Sequence, residues 1–311
     1  MKKHFKKLLL MALMAVMAVG LIACGTDKSY NESTKEEKTS VTITSLDSSK
    51  NEIELEVPYN PKRIAILDLA SLDIIDELGV GDRVVGMAST SIDYLEKYSN
   101  DASIKNLGTI KEADLEAVME CEPDIIFIGG RLSKSYDALS EIAPVVYLAT
   151  DTNEGLVNSV SKNAKTIASI FGMEDKVDSL MSDFGARIDA IKKISSVKTA
   201  LVGMTTSGSF NLLGNDGRCS LIGVEAGFNN LTAAGSTSTH GNETSFETVV
   251  KQNPDYIFVM DRDSAISTAG AKNAKEIVEN ELVKTTDAYK NNHIIYLEHS
   301  NVWYTAEGGI Q

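Results

Sequence analysis

Histidine and cysteine, the side chains that most often bind transition metals, are scarce in this sequence. The chain has 4 histidines and 3 cysteines in 311 residues, and His4 and Cys24 lie close to its N-terminus. Cys121 and Cys219 have neither CxxC spacing nor a nearby histidine, so the sequence carries no zinc-type ligand pattern. A site for a bare metal ion needs several converging His, Asp or Glu side chains, and this composition disfavours one.

Signatures of the common catalytic sites are also missing from the sequence. It contains no GxSxG, no HExxH and no Walker sequence, and no nucleophile is paired with a base. We therefore expect a binding protein rather than an enzyme. The alternative function is that of an enzyme of the cell envelope with a two-lobed α/β fold.

Basic residues are outnumbered by acidic ones. The chain has 30 Lys and Arg against 44 Asp and Glu, a formal net charge of −14. Four of the lysines and none of the acids lie in residues 1–23, so removal of that segment leaves a charge of −18. Such a surface repels nucleic acid and anionic lipid. An anionic ligand must therefore be held by a local basic site.

The N-terminal segment is typical of an export signal. Lysines in residues 1–7 precede a short apolar run, Leu8 to Ile22, which is too short to span a bilayer. The sequence Leu-Ile-Ala-Cys that ends at Cys24 resembles a bacterial lipobox, which implies lipidation of Cys24. We expect residues 1–23 to be a signal peptide and 24–40 a disordered tether. The protein is then exported and anchored by lipid at the extracytoplasmic face of the cell membrane.

One stretch of the chain occurs twice. Residues 116–131 read EAVMECEPDIIFIGGR and residues 247–262 read ETVVKQNPDYIFVMDR. Each copy predicts a capped amphipathic helix, a Pro-Asp turn and a buried strand, with Asp114 and Ser245 as the caps. Arg131 and Arg262 follow the two strands, at the edge where ligands of open α/β sheets bind. The repeat predicts two similar lobes that each offer an arginine to a shared cleft.

The predicted fold class is α/β, with two similar lobes of mainly parallel sheet joined by a long α-helix. We place the N-terminal lobe at 41–152, the helical connector at 153–195 and the C-terminal lobe at 196–311. In the first lobe, Ser71 is the expected cap of a helix that Gly79 ends. In the connector, apolar residues from Val177 to Ile191 recur at helical spacing and form a continuous apolar stripe.

Several motifs give the chain a family resemblance. PKRIAILD, NLGTIKEADLEAVMECEPDIIFIGGR, GNDGRCS, STHG, NPDYIFVMDR and WY resemble the iron-siderophore substrate-binding lipoproteins of ABC importers. The resemblance runs from Leu21 to Tyr304 and is strongest to the branch that binds catecholate and petrobactin-type siderophores. It implies that the ligand is an Fe(III)–siderophore complex and that the protein needs no cofactor.

The resemblance also implies a set of ligand-binding residues. The GGR, GNDGR and MDR motifs assign three arginines to the ligand, and STHG and WY assign a histidine and a tyrosine as iron ligands. The siderophore supplies most of the iron coordination. These residues are Arg131, Arg218, Arg262, His240 and Tyr304. Guanidinium groups suit a ferric catecholate, whose oxygens carry more negative charge than the iron neutralises.

Simpler interpretations of these residues stay open. Arg131 and Arg262 could be surface arginines paired with Asp137 or Asp263. His240 could be a solvated loop residue, and Tyr304 a core aromatic beside Trp303. Haem, cobalamin or a bare metal ion are the alternative ligands.

Two glutamates of the repeat have two possible roles. Glu116 and Glu247 lie at the second position of their predicted helices, where the helix dipole stabilises a carboxylate. The family resemblance implies that each also docks onto the permease of an ABC transporter, which works with its ATPase subunits. Two equivalent charges suit a two-fold symmetric partner, and we expect the binding protein to be a monomer. Relatives continue past the WY segment with a further helix, so either this sequence is a fragment or its second lobe is truncated at Gln311 by the absence of that helix.

Overall fold

The two copies of the repeat form interior strands of two different sheets. The protein is described here by a computed structural model covering residues 38–232 and 237–311. Residues Lys38–Gln311 form one compact unit. The predicted signal peptide, most of the tether and Cys24 lie outside the described residues. Among the described residues, no helix is long and apolar enough to cross a membrane.

The first lobe contains a hairpin and a parallel sheet. The hairpin is β1 (Ser40–Leu46) and β2 (Glu52–Pro58), and the strands of the sheet are β3 (Ile64–Leu67), β4 (Val84–Met87), β5 (Lys105–Asn106), β6 (Ile125–Ile128) and β7 (Val145–Tyr147). The sheet order is β5-β4-β3-β6-β7, and every pairing is parallel. Both β3 and β6 are wholly buried, because apolar clusters cover both faces of the sheet.

Short helices connect the strands of this lobe. They are α1 (Leu69–Leu78), α2 (Glu96–Ser99), α3 (Leu115–Glu120) and α4 (Tyr136–Ser140). Gly79 ends α1 in the left-handed region, as predicted. The predicted cap Ser71 is wrong, because Asp68 is the N-cap and accepts a hydrogen bond from the Ser71 backbone N–H. Asp114 caps α3 as predicted.

Two helices lead from the first lobe to the second. They are α5 (Leu156–Phe171) and α6 (Glu174–Ser195), separated by Gly172 in the left-handed region. Ala164, Ile167 and Ala168 of α5 belong to the core of the first lobe. Most of the apolar stripe of α6 is not buried: within this helix only Val177 and Ser195 are buried, and Ile191 is exposed. Val177 belongs to the core of the first lobe and Met181 packs against it, so this helix contacts that core along part of its length.

The second lobe contains a mixed sheet. Its strands are β8 (Thr199–Thr206), β9 (Ser209–Leu212), β10 (Asn229–Asn230), β11 (Asn242–Glu243), β12 (Tyr256–Asp261) and β13 (Ile294–Tyr296). The order is β11-β9-β8-β12-β13, with β10 also beside β8. The three strands β8, β12 and β13 are parallel, whereas β9 and β11 are antiparallel to their neighbours. The predicted fold class of two α/β lobes with mainly parallel sheets is therefore confirmed.

The helices of the second lobe are mostly single turns. They are α7 (Ser220–Gly223), α8 (Phe246–Gln252), α9 (Arg262–Ala265), α10 (Ala274–Val278), α11 (Asp287–Lys290) and α12 (Ser300–Thr305). Ser245 caps α8 as predicted. After α12 the chain crosses to the first lobe, where the Gln311 backbone N–H donates to Asp73 Oδ1 over 3.1 Å. The α12 segment therefore contacts both lobes. The exact lobe boundaries stay a prediction.

Candidate functional site

A cavity of about 470 Å³ lies between the two sheets. The first lobe contributes Asp68 and residues 129–131 to its wall, and α5 closes one side. The second lobe contributes residues 213, 214, 216–218, 304, 305, 307 and 308. The lining from the first lobe follows the carboxyl ends of β3, β6 and β7, which is the edge where open α/β sheets bind their ligands. The cavity volume is in the range of small-molecule sites.

Arg131 enters the cavity from the first lobe. It follows β6 through Gly129 and Gly130, and a Cβ on Gly129 would lie 2.5 Å from Asp68 Oδ1. Glycine at that position therefore lets the strand end approach the N-cap of α1 closely. Arg131 Nη2 donates to the carbonyl oxygen of Tyr304 over 3.2 Å, and the side chain is otherwise exposed. Its guanidinium is available to a ligand.

Arg218 enters the cavity from the second lobe, on the Gly/Asn/Asp loop that follows β9. Its Nη1 donates to the same Tyr304 carbonyl over 2.8 Å. Its Nε is buried and makes no hydrogen bond within the described residues. Burial lowers the pKa of Arg218, and the nearby charge of Arg131 lowers it further. Two guanidinium groups thus converge on one carbonyl oxygen, and an anion in the cavity would relieve their repulsion.

Arg262 is held more tightly than the other two arginines. Its Nε donates to the Tyr304 hydroxyl over 3.1 Å, and its Nη1 lies 3.2 Å from Asp263 Oδ1 and 3.3 Å from Thr206 Oγ1. Asp263 is 4% exposed at its side chain. The predicted alternative pairing with Asp263 is therefore present, and Arg262 is not among the residues that line the cavity. It reaches the site through Tyr304.

Tyr304 is the residue around which the three arginines gather. The carbon at the centre of each guanidinium lies 4.3 to 5.8 Å from the centre of its ring. These distances are within the range of cation–π contacts. Tyr304 is 6% exposed, and its position on α12 brings it between the lobes. In this conformation its carbonyl and its hydroxyl both orient arginines.

His240 lies on an exposed turn beside the cavity and does not line it. Its carbonyl oxygen accepts a hydrogen bond from Asn211 Nδ2 over 2.8 Å, which fixes the backbone of the turn. Partial burial and the charges of Arg262, Arg218 and Lys111 lower the pKa of His240. The imidazole is therefore more often neutral near pH 7 than a free histidine, which is the form that binds metal.

Glu307 is a lining residue that the sequence patterns did not single out. It lies in the segment after α12, and its Oε1 accepts a hydrogen bond from the Cys219 backbone N–H over 2.7 Å. Burial raises the pKa of Glu307 to about 7, although the Cys219 hydrogen bond and the charge of Arg218 act in the opposite direction. Nothing in the local sequence AEGGI marks this glutamate, because its burial depends on the crossing of α12 between the lobes.

The remaining predicted residues lie away from the cavity. Glu116 and Glu247 are exposed at the second positions of α3 and α8. Backbone and Ser245 hydrogen bonds lower the pKa of Glu247. Cys121 and Cys219 are buried free thiols, so they are not bridged. Within the described ranges, no cluster of three or more His, Cys, Asp or Glu side chains is placed to hold a metal ion.

The sequence matches the family described as periplasmic binding protein over residues 64–300. The chain belongs to the periplasmic binding protein family. The petrobactin-binding protein YclQ of Bacillus subtilis is 37% identical over 316 residues, which cover 98% of this chain and 95% of YclQ. The crystal structure of YclQ superposes with a TM-score of 0.80 and covers 87% of this chain and 94% of YclQ.

Two further solved structures are similar in sequence and fold. The periplasmic catecholate-siderophore binding protein VctP of Vibrio cholerae is 31% identical, with a TM-score of 0.78 over 87% of this chain and 95% of VctP. The iron uptake ABC transporter substrate-binding protein PiuA of Streptococcus pneumoniae is 33% identical, with a TM-score of 0.79 over 88% and 94%. The resemblance predicted from the motifs is confirmed, as is the expectation of a binding protein rather than an enzyme.

Proposed function

We propose that this protein captures a ferric siderophore, of the catecholate type, and delivers it to an ABC importer for iron uptake. The relatives named for petrobactin, for catecholate siderophores and for iron uptake support this ligand class. The observation that carries the proposal is the pair of guanidinium groups, Arg131 and Arg218, that meet on the Tyr304 carbonyl inside the cavity.

The chemistry of the cavity suits an anionic chelate. Catecholate oxygens on iron keep a net negative charge, and planar guanidinium groups bind such oxygens with charge-assisted hydrogen bonds. The two arginines come from opposite lobes, so one chelate between them contacts both. This arrangement offsets the negative charge of the protein as a whole at the place where the ligand binds.

The iron ligands predicted from the family resemblance differ in availability. His240 is exposed beside the cavity, and an imidazole from this turn can fill a coordination position that the siderophore leaves open. The Tyr304 hydroxyl accepts a hydrogen bond from Arg262, so ligation by Tyr304 requires that Arg262 release it. We therefore assign His240 as the first protein ligand of iron and Tyr304 as the second.

Transport and location follow from features outside the cavity. Glu116 and Glu247 are exposed at the starts of helices that precede β6 and β12. A helix that leads into a parallel strand begins at the carboxyl edge of the parallel strands, so both glutamates lie toward the edge where ligands bind. We assign them to permease docking. Lipidation of Cys24 would anchor the monomer at the extracytoplasmic face of the membrane.

A siderophore panel titrated against the purified protein tests the ligand. Trp303, the only tryptophan, adjoins Tyr304 on α12 and gives a fluorescence signal. We expect ferric catecholates to change this fluorescence at micromolar concentration or below, and free Fe(III), haem and cobalamin to leave it unchanged. Calorimetry on the same samples detects binding that leaves the Trp303 fluorescence unchanged. Absence of binding to every ferric siderophore in both measurements would refute the proposal.

A further inference from the structure

Glu307 places a carboxyl group on the wall of a cavity built for an anion. It lines the same cavity as Arg131 and Arg218, and its Oε1 is fixed by the Cys219 backbone N–H at 2.7 Å. Arg218 does not form an ion pair with Glu307 among the described residues, although each lies within electrostatic range of the other. An ionised Glu307 would therefore repel the ligand that Arg218 attracts.

The surroundings of Glu307 favour its neutral form. Burial disfavours the ionised carboxylate, and Glu225, which follows α7, adds a second negative charge nearby, whereas the hydrogen bond from the Cys219 backbone N–H lowers the pKa of Glu307. Glu225 is itself constrained: its Oε1 accepts from the Val157 backbone N–H over 3.1 Å, and its Oε2 is buried without a hydrogen bond in the described structure. The one nearby cation that lowers the pKa of Glu307 is Arg218.

Charged and titratable groups reach Glu307 from several elements. The loop before α7 supplies Arg218 and the buried thiol of Cys219, whose pKa burial and Glu307 both raise. The cavity lining contributed by α5 contains no titratable side chain. Glu307 also lines a second, apolar cavity between α6 and α12. The remaining groups on the walls of the two cavities are Asp68, Arg131, Asp216 and Tyr304 on the first, and Asp73, Tyr94, Asp183, Arg187, Glu298 and His299 on the second.

We propose that Glu307 takes up a proton from solvent when the anionic chelate binds, so that capture of the ligand weakens as pH rises. This inference rests on the proposed function. With Glu307 protonated, the cavity presents Arg131 and Arg218 without an opposing charge from this side chain. With Glu307 ionised, its negative charge offsets the positive charge of the nearby Arg218. The residue thereby sets the net charge that the ligand meets.

The pH range follows from the free protein. Because the pKa of Glu307 is raised to about 7, the carboxyl is mostly neutral below that pH and mostly ionised above it. A bound anion raises the pKa further, since it disfavours a second negative charge beside it. Proton uptake on binding is therefore largest just above neutral pH.

The test compares native protein with Glu307→Gln, which keeps the shape and removes the charge. Dissociation constants for one ferric catecholate are measured at intervals from about pH 6 to pH 8.5. Their ratio, native over variant, cancels the proton chemistry of the siderophore itself. We expect a ratio near one at the acidic end, rising to about tenfold at the alkaline end. Glu307→Asp retains a carboxyl and should retain a pH-dependent ratio.

The outcomes separate this inference from the proposed function. A ratio that stays constant across the pH range, whether near one or displaced from it, shows a structural role and overturns the inference alone. If native protein binds no ferric catecholate at any pH, the proposed function fails and the inference falls with it. Calorimetry of native protein in buffers of different ionisation enthalpy gives the proton count directly. Equal proton uptake by native protein and Glu307→Gln also overturns the inference.

Discussion

Arg131 and Arg262 end two copies of the same repeat, yet their surroundings differ. Arg131 is exposed, and its guanidinium donates a hydrogen bond to the Tyr304 carbonyl. Arg262 is 19% exposed at its side chain and is bound to Tyr304, Thr206 and the buried carboxylate of Asp263. Although the two arginines occupy equivalent positions of the repeat, the Arg131 guanidinium is therefore available to a ligand, whereas that of Arg262 is bound to other residues of the protein.

The difference arises from the α12 segment, which belongs to the second lobe and crosses to the first. Tyr304 on this segment offers its hydroxyl to Arg262 and its carbonyl to Arg131 and Arg218. The first lobe has no counterpart of this segment among its described elements. Duplication thus supplied the strand ends, and the unduplicated segment decides how each arginine is used.

The largest expected effect is on ligand affinity in Arg131→Ala. Loss of a charge-assisted hydrogen bond to an anionic ligand should cost about 2 to 3 kcal/mol, or roughly 30- to 150-fold in the dissociation constant. Thermal stability should change little, because the side chain is exposed. Fluorescence titration and a melting curve measure the two effects. Lys134→Ala, which removes an exposed cation three residues away, is the control and should bind like native protein.

Arg262→Ala should reduce stability more than Arg131→Ala does, and ligand affinity less. It leaves Asp263 buried at 4% exposure with its ion-pair partner gone, which we expect to destabilise the fold by about 2 kcal/mol. Affinity should fall less than in Arg131→Ala, because Arg262 acts through Tyr304. Denaturant unfolding and titration of both variants test the comparison. Equal losses of affinity and equal stability in the two variants would show that the two arginines have the same role.

Much of this asymmetry could not be read from the sequence. Features that depend on residues close in sequence were predicted correctly. Asp114 and Ser245 cap their helices, Gly79 ends α1, and the repeat located Arg131 and Arg262 at strand ends. The Ser71 cap was wrong, since the helix begins two residues before Ser71 and Asp68 accepts the hydrogen bond of the Ser71 backbone N–H. The roles of Tyr304 and Glu307 depend on contacts between residues far apart in sequence. Helical spacing in α6 did not show that Val177 alone of its apolar stripe would be buried.

The carboxyl group of Glu307 makes the stability of the second lobe's side of the cavity dependent on pH. The folded pKa of Glu307, about 7, is above the ordinary value of 4.5, so the stability it contributes is present below pH 4.5 and is lost as pH rises through 7. Glu307→Gln should therefore be more stable than native protein at pH 8, by about 1 to 3 kcal/mol, and similar to it near pH 4.5. Melting curves at both pH values measure this. The exposed Glu298→Gln serves as control, and an equal gain there would remove Glu307 as the cause.

The smallest effect in solution is expected for the two helix-start glutamates. Glu116 and Glu247 are exposed and lie outside the cavity, so Glu116→Ala and Glu247→Ala should leave ligand affinity within a factor of about two of native. Iron uptake by cells should nevertheless fall in each variant, and further when both are changed, if both lobes contact the permease.

Glu120→Ala and Glu281→Ala, exposed acids that pair with Lys105 and Lys284, control for loss of surface charge. Reduced uptake in only one variant would mean that the lobes differ in docking as they do in their arginines. A loss of affinity in solution would instead place that glutamate in the ligand site and remove it from the docking surface.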